Sequence, residues 1–220
     1  MTKSSSLVIR QLGEISYSDT LKAMQKFTEY RNSDTDDEIW LLQHPPVFTM
    51  GRTRKDEHIL VKTNIPVIQT DRGGDITYHG PGQIIAYVLI DLRRRRQGVR
   101  QFVNALEDVV IKTLSHWQLA AKRYKNRPGV FVGDAKIASI GLRVQKGCSY
   151  HGISLNVSMD LSPWSLVKPC GLDISMTQLC DLIDSKIEKK DVLEIFTNHL
   201  CNTLNYTKKS AVTTPFSVAD

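Results

Sequence analysis

The chain has 220 residues, 41% of them hydrophobic and 24% charged, and its 29 Lys plus Arg against 23 Asp plus Glu leave a formal net charge of +6. Such proportions belong to globular proteins and exclude a disordered chain, a collagen or a coiled coil. At this length a single domain or a tight pair buries roughly 70% of its unfolded surface, so neither metals nor disulfides are needed to hold a core.

The longest aliphatic and aromatic run covers residues 84–90, whereas a spanning helix needs about 20. The start, Met1-Thr2-Lys3-Ser4-Ser5-Ser6, has no apolar stretch of the kind a signal peptide carries. No membrane association is expected. Cysteines at 148, 170, 180 and 201 form no CxxC pair and read as thiols in a reducing compartment, so a cytoplasmic location is expected.

In chain order, residues 7–12 read as a strand. Leu21, Met24 and Phe27 then mark a helix over 17–31, with Ser16 and Ser18 as candidate caps. Residues 38–43, 47–50 and 65–69 read as strands, broken by Pro45-Pro46, Gly51 and Pro66. The near-continuous apolar run 84–92 predicts a strand covered on both faces. Phe102, Leu106, Val109, Val110 and Leu114 define the inner face of a helix over 99–117. From 130 to 157 the chain turns β again, with Gly133-Asp134 and Lys146-Gly147 as hairpin turns. A last amphipathic helix carries Val192, Ile195, Phe196, His199, Leu200 and Leu204, and residues 207–220 read as a polar, loosely held tail after a single domain over 1–206. Adjacent hairpins with about three helices predict an α/β or α+β architecture, a mixed sheet with flanking helices.

The most unusual stretch is 71–83, which holds four glycines and a proline. Glycine lets a ligand approach the backbone, and exposed N–H groups in such turns suit a carbonyl, carboxylate or phosphate. The alternative is a hairpin with a busy turn. The stretch is neither a P-loop nor a GxGxxG fingerprint, which removes support for nucleotide chemistry.

Of the four cysteines, Cys170 has the setting a nucleophile needs. In Lys168-Pro169-Cys170-Gly171 the proline prevents a regular element and the glycine lets the backbone turn, so the thiol projects from a loop; it still requires a cation or a helix terminus to become a thiolate. Cys180 and Cys201 lie in helix-like segments and Cys148 in a hairpin turn, where packing is the more common role. Lys136 falls on the same side of its strand as Ala138, Ile140, Leu142 and Val144. It either snorkels past the strand end or is desolvated and poised for proton transfer. His79 and His151, each before a glycine, are candidates to line a site, whereas His116 and His199 read as ordinary helix positions. No Cys/His spacing suggests a metal, and none is expected.

Arg72-Gly73-Gly74, Thr77-Tyr78-His79 and Gly82-Gln83 together resemble the signature of the lipoyl(octanoyl) transferase family, also called lipoate-protein ligase B. Lys136-Ile137-Ala138-Ser139-Ile140-Gly141-Leu142-Arg143 resembles its lysine strand. Asn156-Val157, Asp160-Leu161-Ser162-Pro163 and Pro169-Cys170-Gly171 resemble its nucleophile region. The resemblance runs from about Leu7 to Leu204 and implies the biotin/lipoate protein ligase-like fold. It implies an enzyme that moves an octanoyl group from acyl carrier protein, through a Cys170 thioester, to the lysine of lipoyl domains, those of 2-oxoacid dehydrogenases and of the glycine cleavage H protein. By the same resemblance Lys136 lowers the Cys170 pKa and relays protons. The substrate-binding residues map onto Arg72, Gly73, Gly74, Asp75, Ile76, Thr77, Tyr78 and His79, onto Ser139, Ile140 and Gly141, and onto Gly152, Ile153 and Ser154. No cofactor is implied, because a thioester donor is already activated.

Two other readings remain open. An ATP-dependent lipoate or biotin ligase shares the implied fold but requires an acyl-adenylate site and no nucleophilic cysteine. A nucleic-acid-binding domain is suggested by Arg93, Arg94, Arg95, Arg96 and Arg100, without which the formal charge falls from +6 to +1. That segment lacks interleaved aromatic residues, so no nucleic-acid partner is expected, and the basic loop is instead a candidate docking surface for the acidic carrier protein.

Overall fold

A computed structural model describes residues 6–53, 58–125, 127–168, 174–206 and 209–213. Among these the chain runs β1 (Leu7–Glu14), α1 (Tyr17–Tyr30), β2 (Asp37–Gln43), β3 (Val47–Met50), β4 (Val67–Gln69), β5 (Ile76–His79), β6 (Gln83–Leu89), α2 (Val99–Ser115), β7 (Ala121–Tyr124), β8 (Arg127–Val132), β9 (Ala135–Gln145), β10 (Cys148–Asn156), α3 (Lys189–Thr203) and β11 (Lys209–Val212).

Strand β6 is buried along its whole length, as its unbroken apolar run predicts, because each face meets a separate core. Ile84, Ala86 and Val88 pack into one hydrophobic cluster, and Ile85, Tyr87 and Leu89 into another. Its antiparallel partner β2 divides in the same way, with Ile39 and Leu41 on one face and Trp40 and Leu42 on the other. Helices α2 and α3 cover the first face with Phe102, Leu106, Val109, Val110, Val192, Phe196 and Leu200. Helix α1 covers the second with Tyr17, Ala23 and Met24. Neither candidate cap holds α1: Ser16 stands at the N-cap without a side-chain hydrogen bond and Ser18 lies inside the helix. The first turn is tied instead through the Ser16 carbonyl, which accepts Thr20 Oγ1–H at 2.8 Å. No described helix is long and apolar enough to cross a membrane.

The large sheet is ordered β11-β1-β2-β6-β10-β9-β8-β7. Strands β8 to β10 form the expected run of antiparallel hairpins; β7, outside the expected span, pairs antiparallel with β8, and β10 joins β6. Within the stretch expected as a tail, Lys209–Val212 pairs parallel with β1. With two polar residues among its four, it is held by the ladder that β1 offers more than by its own pattern. A second sheet, β4-β3-β5, lies apart from the first. It packs Phe48, Met50, Ile76 and Tyr78 against Met159, Trp164 and Val167. Strand β5 falls inside the glycine-rich stretch, where flanking glycines hide its apolar content.

The arginine-rich turn divides into two groups. Arg94 and Arg31 both bond Asp37 Oδ1, at 3.1 and 2.7 Å, and Tyr206 donates to its Oδ2 at 2.7 Å. Arg95 donates to the Leu204 carbonyl at 2.6 Å and lies over the Tyr206 ring. These two arginines therefore anchor the C-terminal segment to the sheet, while Arg93, Arg96 and Arg100 are exposed. The Asp37 side chain is 0% exposed, and a buried carboxylate that loses a cation is left undercompensated. Arg94→Ala is expected to destabilise the fold by about 2–3 kcal/mol. The effect is measured as a lower urea midpoint, and a midpoint unchanged from wild type would show that Arg31 and Tyr206 suffice.

Candidate active site

The glycine-rich stretch is laid against β9 by backbone contact. Gly73 N–H donates to the Leu142 carbonyl at 2.8 Å, and a Cβ on Gly141 would stand 3.0 Å from the Gly73 carbonyl and 3.1 Å from Arg72 Cδ. Only glycine lets the two segments approach so closely. Arg72 is buried and fastens the stretch to β3, its Nε and Nη2 reaching Thr49 Oγ1 at 3.2 and 2.9 Å and Nη2 reaching the Thr49 carbonyl at 2.6 Å. The β9–β10 register sets Ser139, Ile140 and Gly141 directly opposite Ser154, Ile153 and Gly152. Two of the three segments expected to bind substrate are thus neighbours on the sheet, and the third crosses over them.

Between them lies a cavity of about 320 Å³. Its walls are Arg72, Gly73, Gly74, Asp75, Ile76 and Thr77 on one side, Lys136, Ser139, Ile140, Gly141 and Leu142 on another, and Val99, Val103, Trp164, Ile174 and Met176 around the rest. Lys136 lines this space as a half-buried side chain. Its Nζ donates to the Pro128 carbonyl at 2.9 Å and lies 5.4 Å from the centre of the Phe131 ring. Gly129, at φ +125, leaves room for it, since a Cβ there would stand 2.9 Å from Lys136 Cε. The Lys136 side chain is half-buried, and its bond to the Pro128 carbonyl lies on the exposed side of the cavity. Its backbone is also engaged: Lys136 N–H donates to Ser175 O and Thr177 N–H to Lys136 O, at 2.8 and 3.0 Å.

Cys170 lies outside the described residues. On the flank before it, Lys168 N–H donates to the His58 carbonyl at 2.8 Å, and Ile59 pairs with Val167. The His58 ring pairs with Asp75 of the glycine-rich stretch. Beyond it, Ile174 lines the cavity and Met176 pairs with Lys136.

A smaller chamber of about 50 Å³ shares Arg72, Thr77, Ser139, Ile140 and Gly141 with this cavity and is otherwise lined by Tyr17, His79, Tyr87, His151, Ile153 and Ser154 among others. His44 stands behind it. Its Nδ1 donates to the Ile15 carbonyl at 2.6 Å, leaving Nε2 to accept the Tyr87 hydroxyl at 2.8 Å. His79 Nδ1 donates to Gln83 Oε1 at 2.8 Å. His151 Nε2 donates to Asp71 Oδ1 at 2.9 Å, and its Nδ1 has no hydrogen-bond partner among the described residues. Burial pushes His79 down to about 3 and His44 down to about 4. Burial also lowers His151, against the opposing pull of Asp71. Burial alone would raise the Asp71 carboxyl, but hydrogen bonds from His151 and Tyr150 hold it well below the usual carboxylate range. All three histidines are therefore neutral at pH 7.

Of the residues expected to bind substrate, Tyr78 lines neither space; its ring packs on Phe48 and Trp164 in the small sheet. The remainder line one or both. Tyr17, His44, Tyr87 and Trp164, which carry no motif in the sequence, line the two spaces or stand behind them. The available signal was polar residues at buried positions of otherwise apolar elements. Among the described residues no group of three or more His, Cys, Asp and Glu side chains is placed to hold a metal ion.

A profile described as the lipoyl protein ligase A/B catalytic domain matches residues 16–201. An octanoyltransferase of Pectobacterium atrosepticum is 53% identical over 178 residues, covering 80% of this chain and 78% of that protein. One of Photorhabdus laumondii is 50% identical over 201 residues, covering 91% and 94%. In structure, a putative lipoate protein ligase of T. acidophilum with bound lipoic acid superposes with a TM-score of 0.76 at 16% identity, over 97% of this chain and 90% of that one. A biotin protein ligase of Aquifex aeolicus superposes at 0.53 and 14% identity, over 91% and 69%. These neighbours bear out the expected biotin/lipoate ligase-like fold. The chain belongs to the lipoyl protein ligase A/B catalytic-domain family and, within it, to the octanoyltransferases, acyltransferases of lipoate biosynthesis.

Proposed function

We propose that the chain takes its octanoyl group from the thioester of acyl carrier protein and passes it, through the Cys170 sulfur, to the lysine of a lipoyl domain. The Cys170 thiolate attacks the donor carbonyl, and the carrier's thiolate leaves and takes up a proton. The acceptor amine then attacks the enzyme thioester, an amide forms, and the Cys170 thiolate is regenerated as the attacking nitrogen loses its proton. The activation of the donor is conserved throughout, so no ATP or cofactor enters. Lys136 stabilises the thiolate as an ammonium and accepts the acceptor's proton as an amine.

The observation that carries this reading is Lys136 itself, a half-buried cationic side chain on the wall of the cavity that the glycine-rich stretch borders. At about 320 Å³ the space falls near the lower end for small-molecule sites, in keeping with a short unbranched chain. The acceptors in this reading are lipoyl domains of 2-oxoacid dehydrogenases and the glycine cleavage H protein, in the cytoplasm, where free thiols persist. The acidic carrier docks on exposed Arg93, Arg96 and Arg100, next to Val99 of the cavity wall.

Intact mass spectrometry after incubation with octanoyl-acyl carrier protein, without ATP, tests the scheme. Wild type is expected to gain one octanoyl group and to lose it when a lipoyl domain is added, whereas Cys170→Ala gains none. Full transfer by Cys170→Ala, or transfer that requires ATP, would sink it.

A further inference from the structure

Helix α2 buries one carboxylate among its apolar side chains. Glu107 is 4% exposed, although its neighbours on the inner face are Leu106, Val109 and Val110. A glutamate so placed is costly unless partnered. Its Oε1 accepts the Gly129 N–H at 3.1 Å, and its Oε2 stands 3.8 Å from Arg123 Nη1. Gly129 directly follows Pro128, whose carbonyl takes the Lys136 ammonium at 2.9 Å. A Cβ on Gly129 would stand 3.3 Å from Lys136 Nζ, so the amide that Glu107 holds and the amine of Lys136 meet at the same glycine.

We propose that Glu107 is a positioning residue for Lys136: it fixes the Pro128–Gly129 peptide of β8 that presents the Pro128 carbonyl to Nζ, and its charge sets the proton affinity of that amine. The proposal rests on the reading of Lys136 as the group that carries protons in the reaction. Other charges face the same region. Arg123 from β7 pairs with Glu107 and with Asp108 of α2, and Arg127 from β8 with Arg72 and Asp75 of the glycine-rich stretch lines the Lys136 cavity. Glu107 is tied to the lysine through the Pro128–Gly129 peptide. Burial raises its carboxyl above the ordinary range, and the Gly129 N–H and Arg123 oppose that shift.

Glu107→Gln separates position from charge, because its amide oxygen still accepts the Gly129 N–H while the negative charge is gone. In protein labelled with 13C-lysine, the Lys136 side-chain signal, assigned by its loss in Lys136→Arg, is expected to titrate about half to one pH unit lower in Glu107→Gln than in wild type. The ascending limb of the single-turnover transfer profile is expected to move to lower pH by the same amount, with the KM for octanoyl-acyl carrier protein unchanged. Glu107→Ala, which removes the acceptor as well, is expected to lower kcat about tenfold relative to Glu107→Gln. Circular dichroism checks that both variants are folded. An unmoved Lys136 titration in folded Glu107→Gln overturns the proposal. The two readings fail separately: full activity of Lys136→Ala refutes the role of Lys136, whereas an inactive Lys136→Ala with an unmoved titration refutes the role of Glu107 alone.

Discussion

Lys136→Ala is expected to lower octanoyl transfer by about a hundred- to ten-thousandfold while leaving the fold intact, the range over which a positioned proton-transfer group acts. The reason lies in the two demands of the proposed reaction. The first step needs a thiolate, which a neighbouring cation favours. The second needs an amine to receive the proton of the attacking lysine. Lys136→Arg divides these demands, because a guanidinium keeps the charge but does not give up a proton near neutrality. That variant is expected to form the octanoyl adduct and then to hold it, so mass spectrometry finds acylated enzyme that lipoyl domains discharge slowly. Rates near wild type for Lys136→Ala would return the residue to a plain wall of the cavity. The fold tolerates the change because the strand that carries Lys136 is held by backbone pairing, whereas its side chain bonds the Pro128 carbonyl and lies over the Phe131 ring at the cavity wall.

Stability is expected to fall by about 3 kcal/mol as the pH drops from 6.5 to 5, driven by His44 and His79. Their ordinary value is 6.5, and burial brings them to about 4 and about 3. In the unfolded chain both take up protons below pH 6.5, and in the native chain neither does until the pH is far lower. Their contribution is therefore fully present above pH 6.5 and is lost as the pH falls toward the native values, at up to about 1.4 kcal/mol per pH unit for each. Asp71 acts in the same sense but in a more acidic window. Its carboxyl is held below its ordinary 3.8, so its contribution is lost only in stronger acid and does not enter this window. Urea unfolding from pH 7 to 5 measures the slope, and His44→Gln or His79→Gln should each remove about half of it. A wild-type stability that is flat over this range would mean that the chamber admits protons without unfolding.

Much of the architecture was legible in residue order. The apolar run of β6 announced a strand with two covered faces, and the spacing of Phe102, Leu106, Val109 and Val110 announced the inner face of α2. Both are consequences of periods of 2 and 3.6, which burial on a sheet or a helix imposes locally. Strand β5 was hidden by glycines that serve close approach more than strand pairing, and β11 by its polar content. The serine caps of α1 were misleading because the helix is anchored by packing of Tyr17 and Met24, which makes a cap dispensable.

The candidate site divides along the same line. By itself the sequence determined the kinds of groups present: a glycine-rich stretch that lets a chain lie against backbone, a cysteine between proline and glycine, and a lysine on an apolar strand face. Only the tertiary structure decided which of them meet. It set Ser139, Ile140 and Gly141 opposite Ser154, Ile153 and Gly152, ran the Arg72 stretch across Gly141, gathered His44, His79 and His151 about one chamber, and placed Glu107 behind Lys136. The physical reason is that period and propensity are properties of neighbours in the chain, whereas strand register and the stacking of helix on sheet join residues far apart in it, and it is these that put a carboxylate, a glycine and an amine in contact.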